Sequence, residues 1–338
     1  MRIAVVGCGA VGSFYGAKLA RDGHDVSFLL RSDFEAVRRN GILIRSPQGD
    51  FQVQPRCARA PEEIGPSSLV LIGLKTTANA QFASLLPPLV GPVTAILTLQ
   101  NGLGNEQELA RLFPMKQIMG GLCFVCLNRS QPGVIQHLDY GQIVLGEFQR
   151  LPEPRTHAIA SMFCHAGMPC TVTANLTQTH WEKLTWNIPF NGLGVAGVAG
   201  FDAVCQGRTV SGGTSRKHFG LGGTPRTTQI ATTLTTDKLL ADPRWEKLVR
   251  ELILEVVATA RALGLSLDPG LADQQILRTR TMGAYKASTL IDFERGLPLE
   301  LQSLFLEPLR QAREAGVNTP RLAALCEVLK SLDAGRNN

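Results

Sequence analysis

The sequence predicts an α/β chain in two parts: a doubly wound sheet over residues 1–174, then an all-α domain over residues 175–338. Three observations predict it. Short apolar runs alternate with helix-like stretches through the first half, the pattern of a parallel sheet covered on both faces. A glycine-rich turn follows the first of those runs, close to the N-terminus. In the second half the strand-like runs stop and the apolar residues take a helical period.

In chain order, residues 3–6 form a first apolar run, residues 11–20 have helical composition, and residues 26–30 form a second run. Residues 69–74 and 93–99 are further buried-strand candidates, with crossover helices between them. Residues 133–137 and 141–146 look like the two arms of a hairpin that closes the sheet, and 170–173 like a last strand. Residues 178–199 form the first helix of the second part, which Pro189 should kink or split because it removes one backbone donor. Residues 244–263 make a long amphipathic helix with Pro243 at its first turn. Residues 271–285, 299–315 and 320–332 also fit helices. Residues 207–236 stand apart: seventeen of these thirty are Gly, Ser or Thr. A mobile loop is expected there, either a basic lid over an anionic ligand or a tolerated insertion.

Composition narrows the function classes. A chain of 338 residues with 44% hydrophobic content suits a soluble two-domain protein. The net charge of +6, from 34 basic and 28 acidic residues, would suit phosphate-bearing partners. From residue 203 to 236, however, there is no acid, while Arg208, Arg216, Lys217 and Arg226 are basic. An excess gathered in one segment argues against a nucleic-acid surface, as does the 6% aromatic content. No apolar stretch is long enough to span a membrane, and the N-terminus lacks the pattern of a secretory signal. Eight irregularly spaced cysteines do not form a disulfide framework. Cys123 and Cys126 have C-x-x-C spacing, either a redox or zinc half-site or two small residues of a buried strand. No second pair follows at zinc spacing, so the buried strand is preferred, no metal is expected, and a reducing, cytoplasmic compartment is the default.

Gly7-Cys8-Gly9-Ala10-Val11-Gly12 is a G-x-G-x-x-G between a strand and a helix, the context that makes the motif informative. Gly7 permits the tight turn, Gly9 lets backbone approach a pyrophosphate, and Gly12 lets helix pack on strand. The amides and dipole at the helix start favour phosphate. This predicts a Rossmann-type dinucleotide site. An NAD enzyme usually places an acid at the end of the second strand. Here Arg31 and Ser32 follow Leu30, and Asp33 comes two residues later. A guanidinium suits a 2′-phosphate, so NADP(H) is the expected cofactor, preferred over the alternative of an ordinary surface arginine because the acid is missing where NAD would need it. Leu74-Lys75-Thr76 and Gln100-Asn101-Gly102 fall at strand C-terminal ends, where ligands bind in such sheets.

These motifs resemble the ketopantoate reductase (2-dehydropantoate 2-reductase) family. The resemblance continues through Gly133-Val134-Ile135-Gln136-His137, Trp181-Glu182-Lys183-Leu184 with Asn187 and Asn191, and Ser288, Asp292 and Glu300. It spans nearly the whole chain except residues 207–236. It implies NADPH-dependent reduction of a 2-oxo acid to a 2-hydroxy acid, most simply 2-dehydropantoate to pantoate in pantothenate biosynthesis. It makes Lys183 the proton donor, with Asn187, Asn191 and Ser288 on the substrate. It puts Glu300 near the nicotinamide ribose and the reacting centre. Lys75, Asn101 and Cys126 are counted with the cofactor, and Asn101 with the substrate as well.

The residues support this independently. Lys183, Asn187 and Asn191 are spaced i, i+4, i+8, so one helix face carries all three. Hydride addition to a ketone builds charge on oxygen, which an ammonium can stabilise and protonate. Partial desolvation would lower that lysine's pKa. Three departures fall on the substrate side. Gly192 stands where the family often has Pro, Phe201-Asp202 offers no further Asn, and Leu301-Gln302-Ser303-Leu304-Phe305 lacks an expected acid and a later glycine. They leave open a reductase for a different 2-oxo acid, or a non-catalytic NADP-binding sensor. No nucleic acid or membrane partner is expected, and a homodimer is the candidate assembly.

Overall fold

A computed structural model describes residues 1–208 and 232–335. They divide into two compact units, Met1–His180 and Trp181–Asn338. Most of the stretch 207–236, expected as a loop, lies outside the described residues. Its last residues, 232–236, are described: the Leu234 amide donates to the Gly194 carbonyl at 2.9 Å, and a helix begins at Thr236.

The first unit is built on one ten-stranded sheet. Its strands are β1 (Arg2–Val6), β2 (Asp25–Leu29), β3 (Ile42–Arg45), β4 (Phe51–Val53), β5 (Arg56–Ala58), β6 (Ser67–Ile72), β7 (Val90–Thr98), β8 (Ile118–Gln131), β9 (Val134–Glu147) and β10 (Cys170–Val172). The order is β4-β3-β9-β8-β7-β6-β1-β2-β5, with β10 beside β9. From β8 to β5 every pairing is parallel; β8 with β9 and β3 with β4 are antiparallel. The sheet is therefore mixed, with a parallel core. Its helices are α1 (Ala10–Arg21), α2 (Phe34–Asn40), α3 (Phe82–Leu85), α4 (Asn105–Ala110) and α5 (Pro154–His165).

Period-two alternation explains why the central strands are apolar throughout. On one face Ile3, Val5, Leu69, Leu71 and Leu97 pack against Phe14, Tyr15 and Leu19 of α1. On the other, Ala4, Val6, Val70, Ile72 and Ile96 pack against Phe82, Leu86 and Leu89.

The expected hairpin between residues 133–137 and 141–146 is corrected. Residues 134–137 and 141–146 both belong to the single strand β9, whose antiparallel partner is β8. The Asp139-Tyr140-Gly141 sequence that suggests a turn is a bulge: Phe124 pairs with Gln142 and Val125 with Tyr140, so Gly141 is skipped. Tyr140 and Gly141 have φ of 61° and 133°, which gives the kink without ending the strand. The turn itself lies at Gly133, φ 72°. Strands β3, β4 and β5 are additional to the expected set. They are three or four residues long, too short to show a period.

The second helix group begins with α6 (Leu176–Ala196), capped where Asn175 Oδ1 accepts the Gln178 amide at 3.0 Å. It continues with α7 (Phe201–Gln206), α8 (Thr236–Ala241), α9 (Pro243–Ala262), α10 (Leu271–Arg280), α11 (Ser288–Glu294), α12 (Glu307–Glu314) and α13 (Pro320–Ala334). Two expected helices are shorter than their apolar pattern. The one expected over 271–285 ends at Arg280. The one expected over 299–315 is interrupted by a π-helical segment, Gln302–Leu306, before α12. Pro308 in the first turn of α12 has no amide for the ordinary i−4 bond, and a widened turn accommodates that loss. Among the described residues no helix is long and apolar enough to cross a membrane.

Candidate active site

The turn from β1 into α1 requires two of its three glycines on steric grounds. Gly7 has φ 91°, and a Cβ there would lie 2.2 Å from the Leu74 amide nitrogen. A Cβ on Gly12 would lie 2.2 Å from the Gly7 carbonyl oxygen. Gly73, after β6, is equally constrained, since its Cβ would meet the Gly12 nitrogen at 2.7 Å. So the glycine turn and the Gly73-Leu74-Lys75 turn are packed backbone to backbone. Gly9 differs: a Cβ there would meet nothing within 4 Å. It caps α1 without a side-chain hydrogen bond, and the helix's first turn contains no acid. The first intrahelical bond runs from the Ser13 amide to the Gly9 carbonyl at 3.1 Å, so the amides of Ala10, Val11 and Gly12 precede the ladder. Open space over uncapped amides fits a pyrophosphate. Cys8 points away from that space: its thiol donates to the Leu29 carbonyl at 3.2 Å, and burial pushes its pKa well up. Val11 packs against the core beneath α1.

Arg31 follows β2 and is exposed, with no side-chain hydrogen bond or ion pair to another described residue. Asp33, the nearest acid, is only 5% exposed. Its two carboxylate oxygens accept from Arg129 Nη1 at 2.7 and 2.8 Å, and one of them also accepts from Ser32 Oγ at 2.9 Å. That carboxylate is thus engaged on the hairpin side. The Ser32 hydroxyl proton is spent on it.

The loop after β7 is held by a relay of amides. Thr98 Oγ1 donates to Gln100 Oε1 at 2.9 Å, and Gln100 Nε2 to Asn79 Oδ1 at 2.8 Å. Asn79 Nδ2 donates to Asn105 Oδ1 at 3.0 Å, and Asn105 Nδ2 to the Asn101 carbonyl at 3.1 Å. Asn79 lies in the 3-10 turn Thr76–Gln81 that Lys75 introduces, so the relay links the Lys75 and Asn101 loops. Gly102 and Gly104, at φ 81° and 94°, make the bend. Beyond it, Glu106 Oε1 lies 3.0 Å from His180 Nε2, both buried. Asn79, Asn105, Glu106 and His180 are absent from the sequence-derived site. Single polar residues carry no pattern, and only their pairing reveals them. Cys126 is buried in β8 opposite Asp139, and Cys123 opposite Ile143. All eight cysteines are free, and no described group of three or more His, Cys, Asp or Glu could hold a metal ion.

In the second unit, α6 presents Lys183, Asn187 and Asn191 along one face. Lys183 is half-buried, and Asn187 and Asn191 are 5% and 2% exposed. Asn191 Oδ1 accepts from Ser288 Oγ at 3.3 Å and the Thr289 amide at 3.0 Å, and Asn191 Nδ2 lies 3.5 Å from Asn187 Oδ1. The structure therefore brings Asn187, Asn191 and Ser288 together. Beside them the Thr289 hydroxyl is buried without a hydrogen-bond partner, an orphaned donor the sequence does not single out. Glu300 is 4% exposed and precedes the π-helical segment. Two of the departures belong together. A Cβ on Gly192 would lie 2.9 Å from Phe305 Cε1 and 2.6 Å from Leu325 Cδ2. Gly192 leaves room for Phe305, so the departures at residue 192 and in the 301–305 segment meet in one packing contact.

Comparison with known proteins follows the same division. Residues 3–150 match the family model described as Ketopantoate reductase PanE/ApbA, and residues 226–333 its C-terminal counterpart. A 2-dehydropantoate 2-reductase from Nostoc sp. is 37% identical over 99% of this chain and 96% of its own length. This chain belongs to the ketopantoate reductase family. The crystal structure of 2-dehydropantoate 2-reductase from Geobacter metallireducens covers 98% of this chain and 99% of its own, with a TM-score of 0.84 and 43% identity. That from Methylococcus capsulatus covers 100% and 98%, with a TM-score of 0.84 and 32% identity. Membership makes the chain an oxidoreductase of this family, with the α/β unit and helical unit the sequence predicts.

Proposed function

We propose that the protein reduces 2-dehydropantoate to pantoate with NADPH. The observation that carries this is the Lys183, Asn187, Asn191 face of α6, joined to Ser288, in a chain that also has the uncapped glycine turn. NADPH, when bound, supplies the hydride for the ketone carbon. Every other task falls to the chain. Gly7, Gly9, Ala10, Val11 and Gly12 shape the pyrophosphate turn, with Cys8 bracing it from below. Arg31 meets the 2′-phosphate, because Asp33, the nearest acid in sequence, is already bound to Arg129. Lys75, Asn101 and Cys126 complete the cofactor side. Lys183 stabilises the developing alkoxide and donates the proton to it. Asn187, Asn191 and Ser288 hold the substrate's carboxylate and hydroxyl with neutral groups, and Glu300 orients Lys183 and the nicotinamide ribose.

The direct test is steady-state oxidation of NADPH and NADH with a panel of 2-oxo acids. The highest kcat/KM is expected for 2-dehydropantoate with NADPH. A higher value for another 2-oxo acid would reassign the substrate. Tight NADPH binding with no oxidation by any member would refute the reductase and leave a nucleotide sensor.

A further inference from the structure

The hairpin β8–β9 reaches back to the end of β2 through one ion pair. Arg129, near the hairpin tip, holds both oxygens of Asp33 across 96 residues of sequence. The contact is built rather than incidental. Asp33 stands at the N-cap of α2, yet its side chain makes no capping bond there. The carboxylate turns instead to Arg129, to the Ser32 hydroxyl and to the Gly133 amide at 3.4 Å. The tip is fixed in turn: the Leu43 amide donates to the Gly133 carbonyl at 2.9 Å, and a Cβ on Gly133 would lie 2.9 Å from the Gly41 carbonyl. Asp33 keeps only 7% of its side chain accessible, whereas Arg129 keeps 42%.

We propose that Arg129 is a specificity-determining residue for the cofactor: it withdraws the Asp33 carboxylate from the ribose side of Arg31, which admits a 2′-phosphate there. The proposal rests on the reading that NADPH binds at Arg31. An acid at the end of the second strand favours ribose hydroxyls and repels a phosphate. In this chain an acid is present two residues past Arg31, and a guanidinium from the hairpin neutralises and buries it. Preference for the phosphorylated nucleotide is then set by three residues, Arg31, Asp33 and Arg129, of which the third is remote in sequence.

The test is the Kd of NADPH and of NADH for the full-length protein, read by nucleotide fluorescence without any 2-oxo acid. Arg129→Met takes the guanidinium from Asp33 and should raise the NADPH Kd about tenfold, the size of one unneutralised charge near a phosphate. The NADH Kd should move by no more than about twofold, as for a rim charge facing a neutral ribose. Adding Asp33→Asn to Arg129→Met should restore NADPH binding. Equal weakening of both nucleotides, or no recovery in the double variant, overturns the proposal and makes the pair a structural tie. If Arg129→Met does not fold, Asp33→Asn alone decides: it should keep or raise the NADPH preference, and a fall in that preference overturns the proposal. An unsubstituted protein that binds both nucleotides equally overturns the phosphate reading of Arg31, and the proposal with it, before any variant is made. Tight NADPH binding without turnover would refute the reductase reading and leave this proposal standing.

Discussion

The turn after β1 works with backbone, and the polar face of α6 works with side chains. In the turn, Gly7, Gly12 and Gly73 are required because any Cβ would strike main-chain atoms, while Gly9 faces open space. The fold thus needs three of these glycines, and the proposed cofactor would account for the fourth. On α6 the backbone is ordinary helix apart from Pro189, and the proposed chemistry rests on the side chains of Lys183, Asn187 and Asn191. A site made of amides tolerates sequence change that keeps its shape. A site made of side chains can change its substrate one residue at a time, and it is here that the chain leaves its family's pattern.

Substitutions on the two sides should separate these demands. The largest effect is expected on the helix: Lys183→Ala should lower kcat by about two orders of magnitude or more, the usual size for losing a general acid. NADPH binding in that variant should be unchanged, so activity and affinity part company. Next comes a contrast between glycines. Gly7→Ala forces a positive φ and a main-chain clash and should cost about 2–4 kcal/mol of stability in denaturant unfolding. Gly9→Ala should unfold like the unsubstituted protein and lose only NADPH affinity; equal destabilisation of both would erase the distinction between fold and ligand. Arg31→Asp should weaken NADPH relative to NADH by about tenfold, one charge reversal beside a phosphate. Equal losses would remove Arg31 from the phosphate. The smallest effect is expected from the amide relay: Asn105→Ala removes its bonds to the Asn79 amide and the Asn101 carbonyl and should cost about 1–2 kcal/mol in unfolding.

The two regions were also unequally legible in the sequence. The turn announces itself through local spacing, and β1, α1 and β2 lie within two residues of their apolar patterns. The α6 face is visible for the same reason, since i, i+4, i+8 is a local regularity. What stayed hidden depends on partners far along the chain. The Asp139-Tyr140-Gly141 bulge has the composition of a turn, and only its pairing with β8 shows that the strand continues. The Thr98-Gln100-Asn79-Asn105 relay, the Glu106–His180 pair and the Asp33–Arg129 pair each join residues that look like ordinary surface polar groups in isolation. Gly192 and Phe305 appear as two unrelated departures until the packing between them is seen. The end of α10 at Arg280 and the π-helical turn before Pro308 both interrupt a helical pattern that continues through them in the sequence.

The central claim, that the α6 lysine is the acid for hydride transfer to 2-dehydropantoate, is tested most directly by rapid mixing. The NADPH complexes of the unsubstituted protein and of Lys183→Ala are each mixed with excess 2-dehydropantoate, and nicotinamide oxidation is followed through a single turnover. The unsubstituted protein should oxidise its bound NADPH completely and release pantoate, and the variant should do so about a hundredfold more slowly from an equally saturated complex. Equal single-turnover rates in the two proteins, or no oxidation in either, would contradict the claim.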